Sequence, residues 1–341
     1  MAVTTVTTEV YSMSEWRLAV IGEATLGTPN VTTMQLINID SDVSVTSEVI
    51  QTLDVRSGVG RTLKTADVYT SDYGQLTSIS FSCILDRTVS TILHSNAFGL
   101  AAAGSPSGYA MAYDYAPAAV LNGTGSLTVK DALTFALISP QSGETRVFGG
   151  ACVPSLKVTY DPATDGGRGH AEVKAETRYR PADGAATPSS MAAFGTIFGY
   201  LRDFNALKQF APGASGFDVV VNKLAYEVIN PVAYLGFQGA SGNPEMLRRA
   251  SPSAGFKLMV GVKYDSTTAS YWENRRTGTT MSFEISNNAT WAGSTFGVKA
   301  AYLKLDSDVV PSGTDAGVFQ DLSFTATAST SGEMARVVIS S

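Results

Sequence analysis

The chain has 341 residues, enough for two units that each bury a core of their own. Its formal charge of −6, from 24 basic and 30 acidic residues, argues against a dedicated DNA- or RNA-gripping protein. Only 16% of residues are charged, and the abundant Gly, Ser, Thr, Ala and Val favour turn-rich β structure over helical bundles.

Residues 1–15, MAVTTVTTEVYSMSE, read as an extended arm, disordered alone or added to a neighbour's sheet edge. They carry neither the charged n-region nor the apolar h-region of a signal peptide. The longest apolar run, Met191 to Leu201, is too short to span a bilayer, so the reading includes no membrane partner. The expected setting of synthesis is a reducing cytoplasm, with Cys83 and Cys152 as two buried thiols inside apolar strand patterns.

A first unit spans 16–180. A short strand at Trp16–Ile21 is followed by turn chemistry in GEATLGTPN, then by alternating strands over Leu36–Ile50. Arg56 to Gly74 is a long polar loop, and loops of that length usually contact something. Gln75–Gly99 reads as strand into helix. Ile79, Phe81 and Cys83 alternate with serines, Asp86 sits at the N-cap, and Val89, Ile92, Leu93 and Ala97 follow at helical spacing. Leu100–Asn122 is an insertion of small residues. Strands then lead to a hairpin, Val153–Tyr160 and Ala171–Tyr179, around DPATDGGRGH.

Residues 181–216 form a linker in which Met191–Phe210 is expected to be helical. Its Phe194, Ile197, Phe198, Leu201 and Phe204 recur at spacings of three and four. A second unit, 217–341, repeats the order of the first. A strand precedes the polar loop GASGNPEMLRRASPSAG, and Gly255–Gly278 again runs from an alternating strand to an aspartate, Asp265, placed like Asp86. Phe148-Gly149 matches Phe296-Gly297 further on. The spacing of the two aspartates exceeds that of the two Phe-Gly pairs by about thirty residues, the size expected of the insertion.

Catalytic constellations are missing from the pattern. His94 and His170 belong to no His-x-x-x-His or His-Glu pair, no serine has the G-x-S-x-G frame, and SGVGRTLK lacks the Gly-Lys-Ser/Thr ending of a phosphate loop. Asp40 with Asp42, and Asp306 with Asp308, lie on single strand faces without evident partners. The expectation is a non-enzyme with no cofactor and no metal. The candidate contact residues are Arg56, Arg61 and Lys64 in the first polar loop, and Arg248 and Arg249 in the second. They are placed to meet acidic groups of a neighbouring subunit or the next ring.

The segments Trp16…IGEATLGTP, HSNAFG, FGGACVPSLKVTY and YLKLDSD…GVFQDLSFTATA…GEMARVVIS resemble the tail tube (major tail) proteins of long-tailed bacteriophages. The resemblance implies a mainly β fold: two tandem tail-tube-like β-sandwich or barrel modules, each with a flanking α-helix. It implies a structural virion protein of the phage tail whose rings stack into a hollow tube. Its partners would be further copies of itself, the tape-measure and tail-end proteins, and double-stranded DNA passing through the lumen. Two modules per chain predict three chains in a pseudo-six-fold ring, with a hexamer of whole chains as the alternative. A second reading is a carbohydrate-binding or adhesive β-sandwich, with Tyr109, Tyr113 and Tyr115 as its aromatic cluster.

Overall fold

The computed structural model describes residues 15–339 apart from 24–26, 48–49, 54–67, 72–75, 99–100, 103–105, 107, 113–131, 140–144, 180–181, 184–187, 189, 197–198, 205–206, 213–216, 219, 239–242, 250–254, 266–270, 307–310, 315–316 and 328–332. The chain is mainly β. Its first part contains β1 (Arg17–Gly22), β2 (Thr33–Leu36), β3 (Ser44–Ser47), β4 (Ile50–Leu53), β5 (Val68–Ser71), β6 (Thr77–Ile84), helix α1 (Arg87–Phe98), β7 (Ala101–Ala102) and β8 (Gly108–Ala112). Next come β9 (Leu133–Ile138), β10 (Arg146–Tyr160), a one-turn helix α2 (Pro162–Asp165), β11 (Gly169–Thr177), β12 (Ala182–Asp183) and β13 (Ser190–Ala192). The remainder holds β14 (Leu207–Pro212), β15 (Phe217–Asp218), β16 (Val221–Ile229), β17 (Val232–Gln238), β18 (Asn243–Arg249) and β19 (Gly255–Lys263). It closes with helix α3 (Tyr271–Thr277), β20 (Met281–Ser286), β21 (Phe296–Leu305), β22 (Pro311–Thr314), β23 (Gly317–Ala326) and β24 (Glu333–Ile339).

Followed pair by pair, one sheet runs β3–β6–β11–β10–β16–β19–β23, and β23 then takes β21 and β22 along its far side. Among the described residues this sheet does not close on itself: β3 is one edge and β22 stands at the other. A second layer forms where β10 bends away to meet β9, which pairs with β1. In the later half β21 meets β20, which pairs with β14. The bend in β10 follows its register shift between Phe148 and Ala151. There Gly150 adopts φ 60, and an added Cβ would lie 2.1 Å from the Tyr179 ring.

Alternation decides which face is buried. In β6, Thr77, Ile79, Phe81 and Cys83 point inward, and Ser78, Ser80, Ser82 and Ile84 point away. β11 shows the same period, with Ala171, Val173 and Ala175 buried beside exposed Glu172 and Lys174. Helix α1 buries Val89, Leu93 and Ala97 along one stripe. Asp86 caps it, its Oδ1 accepting from Val89 N at 2.8 Å. Cys83 and Cys152 are free, buried thiols. A single apolar cluster extends from Leu18 to Ile339, so the core is not divided between an early and a late half as the length alone suggested.

Three expectations change. The segment read as a helix over Met191–Phe210 is strand β13, an extended run, a 3-10 turn at Leu201–Asp203 and strand β14. Gly199 breaks the helical reading: it sits at φ 74, where an added Cβ would lie 2.3 Å from the Phe296 ring. Phe194 is exposed while Leu201 and Phe204 are buried, so the apolar residues never share one helical face. The two polar loops contain strands, β5 in the first and β18 in the second. The region read as an insertion of small residues holds β8, which pairs with β24. Helix α3 is described over Tyr271–Thr277; residues 266–270, where a cap from Asp265 would act, lie outside the described residues.

Candidate functional site

The features able to act on other molecules are two projecting hairpins, two sheet edges and one charged sheet face. β3 pairs with β6, and beyond it β4 pairs with β5 as a separate two-stranded arm. β16 pairs with β19, and beyond it β17 pairs with β18 as a second such arm. The spacing from base to arm is the same in both. From Ser47 to Ile50 the outgoing strand advances three residues, while the return strand spans six, Ser71 to Thr77. From Ile229 to Val232 the advance is again three, and from Arg249 to Gly255 again six.

Arg248 and Arg249 lie in the second arm, paired with Ala233 and Val232 rather than in a loop. Pro244 and the charged residues of β18 hid this strand, because the sequence NPEMLRR shows no two-residue apolar alternation. Arg56, Arg61 and Lys64 lie outside the described residues.

The internal contact between β10 and β16 is the best-defined joint. Ser155–Tyr160 pairs antiparallel with Leu224–Ile229. Helix α1 reaches across it twice. His94 Nε2 lies 2.7 Å from Tyr226 Oη, and Asn230 Nδ2 donates to Ala97 O at 2.8 Å, occupying a carbonyl at the end of the helix. Asn96 Oδ1 accepts from Val153 N at 2.7 Å on β10. His94 is completely buried, with Nδ1 2.7 Å from Ser90 O. Burial drives its pKa down to about 4 against the raising effect of that carbonyl.

The outward face of the sheet is laced with opposite charges. Lys157 meets Glu172 at 2.8 Å, Lys174 meets Glu176 at 2.6 Å, and Lys257 approaches Glu227 at 3.8 Å. His170 bonds Asp40 Oδ2, and Ser82 Oγ donates to the other oxygen, Oδ1, at 2.7 Å. This is not a nucleophile and its base: the hydroxyl is held by the carboxylate and the imidazole lies on the far oxygen. Among the described residues no group of three or more His, Cys, Asp or Glu side chains could hold a metal ion. Tyr109, named for a carbohydrate platform, is half-buried with its ring 6.3 Å from His94; Tyr113 and Tyr115 lie outside the described residues.

A buried carboxylate fixes the opposite layer. Glu23 accepts from Gly27 N at 2.8 Å, Gly150 N at 2.7 Å and Thr134 Oγ1 at 2.8 Å, tying together the turn after β1, the bend of β10 and β9. Desolvation raises its pKa against those three bonds. Nothing in the sequence pattern marked Glu23, because two of its three partners, Thr134 and Gly150, are over a hundred positions away. No protein-family model matches the chain, and no curated protein matches it.

Proposed function

We propose that the chain is a structural subunit built from two like units in tandem, and that copies join edge to edge into rings that stack as a hollow, DNA-conducting tube. The observation that carries this reading is the β10–β16 joint together with the matched hairpins. Each unit contributes four strands in one order, β3–β6–β11–β10 and β16–β19–β23–β21/β22. The equivalence extends to the second layer. Phe148 pairs with Phe135 and Ala151 with Leu133, as Ala300 pairs with Phe283 and Leu303 with Met281, with the register slipping between the members of each set. Ala300, not Phe296, thus takes the place of Phe148, which corrects the Phe-Gly match made from sequence.

Inside the chain, the last strand of the first unit pairs with the first strand of the second. The ends of the row are β22 and β3, the same kinds of strand. Repeating the joint between chains lays β22 of one copy beside β3 of the next, with Ser312 near Ser44. Such a contact is heterologous, so it propagates until rotation closes a ring, and it satisfies edge strands that otherwise present unpaired backbone groups. Three chains supply six units, which is why the trimer is favoured over a hexamer of whole chains.

The charged face then lines the lumen. Each of Lys157, Lys174 and Lys257 has a carboxylate beside it, so passing DNA meets no row of free cations and releases few counterions. The hairpin arms project from the row and are placed to reach a stacked ring. The carbohydrate reading loses its support in Tyr109, whose ring is engaged with His94. Negative-stain imaging of concentrated protein tests the proposal: hollow tubes of stacked rings are expected, and a dispersed monomer that binds a glycan array overturns it.

A further inference from the structure

Among the described residues, one end of the sheet is covered in the first unit and open in the second. In the first, Leu85 N donates to Gly169 O at 2.9 Å and Ile84 N to Asn38 O at 3.0 Å. In the second, Tyr264 N donates to Val318 O at 2.9 Å and Lys263 N to Val220 O at 2.9 Å. The backbone frame is the same, but the cover is not. Over the first lie residues 193–204: Arg87 N donates to Thr196 O at 3.3 Å, Gly169 N to Gly199 O at 3.2 Å, Leu201 N to Gly167 O at 2.7 Å, and Gly195 N to Asp86 Oδ2 at 3.2 Å. Leu85 is accordingly 1% exposed, whereas Val220, Tyr264 and Val318 are 55%, 40% and 42% exposed. A contiguous apolar rim of this kind marks a contact surface.

The covering segment belongs to the following unit. Residues 193–204 run into β14, whose first residue, Leu207, pairs with Ser286 at the end of β20. Residues 1–14 run into β1, whose first residue, Arg17, pairs with Ile138 at the end of β9. Arg17 therefore pairs as Leu207 does, and along the chain residues 1–14 precede Arg17 at the same distance as 191–204 precede Leu207. They include Val3, Val6, Val10, Tyr11 and Met13, with Glu9 the single charged side chain.

Resting on the edge-to-edge reading above, we infer that the apolar rim at Val220, Tyr264 and Val318 is the docking site for residues 1–14 of the next copy in the ring. The arm and the edge then act together: each copy pairs its β3 with its neighbour's β22 and lays its first residues over the same neighbour's open end.

Two single variants, Tyr11→Cys and Val318→Cys, are mixed in full-length protein and treated with a short bis-maleimide; native Cys83 and Cys152 are buried. The expected result is a covalent dimer in the mixture and in neither variant alone. A parallel mixture of Ser44→Cys and Ser312→Cys reads the edge contact separately. If the edge pair links and the arm pair does not, the arm inference falls while the ring reading stands. If neither pair links, both fall. A link confined within single chains of the Tyr11→Cys/Val318→Cys double variant, showing that the arm covers its own rim, overturns the inference as well.

Discussion

Asp86 carries more than a helix cap. Its Oδ1 holds Val89 N and its Oδ2 reaches Gly195 N, so one buried carboxylate fixes both α1 and the segment crossing the sheet end. Asp86→Ala is expected to cost about 2 kcal/mol, a cap plus a charge-assisted bond, measured as a shift in urea midpoint; a cost near zero would contradict the capping geometry. His94 gives a pH dependence of definite sign. Buried and neutral, with its pKa lowered from 6.5 to about 4 by desolvation, it takes up a proton more readily in the unfolded chain. Its contribution is present above 6.5 and is lost as pH falls toward 4, by up to about 3 kcal/mol at ~1.4 kcal/mol per unit. Glu23 works the other way, since its raised pKa makes the folded state gain from acid. Comparing His94→Gln with wild type separates them: the stability gap at pH 7 should shrink by pH 4.5, and a constant gap would refute the assignment.

At the scale of elements, the face bearing Lys157 and Lys257 is predicted to be inert toward DNA because its carboxylates are in place. Glu172→Gln with Glu227→Gln frees both lysines and should raise salt-sensitive retention of duplex DNA in filter binding several-fold; unchanged retention would remove this face from the lumen. Elements with one buried face were legible in the sequence. β6, α1 and the β10–β11 hairpin repeat their apolar residues at the period of the element, because one side of each must reach the core. The arms were not legible, since β18 mixes proline with charges and its sequence carries no apolar period. The supposed helix at Met191–Phe210 failed for a related reason: Leu201 and Phe204 are apolar because they seal the end of a sheet, and their spacing imitates a helical stripe. The joint itself is invisible in sequence, as His94 and Tyr226 meet across 132 positions.

At the scale of the molecule, the account is that one joint is used twice, once within the chain and once between chains. α1 grips β16 through His94 and Asn230, and the apolar core runs unbroken beneath β10 and β16. On the proposed two-unit reading, assembly need only repeat between chains a contact already present within one. The direct measurement is the number of chains per ring, from native mass spectrometry of isolated rings combined with electron-microscopic end-on averages. Three chains showing six similar lobes is the predicted result. Six chains per ring, or rings whose lobes equal the number of chains, would contradict it.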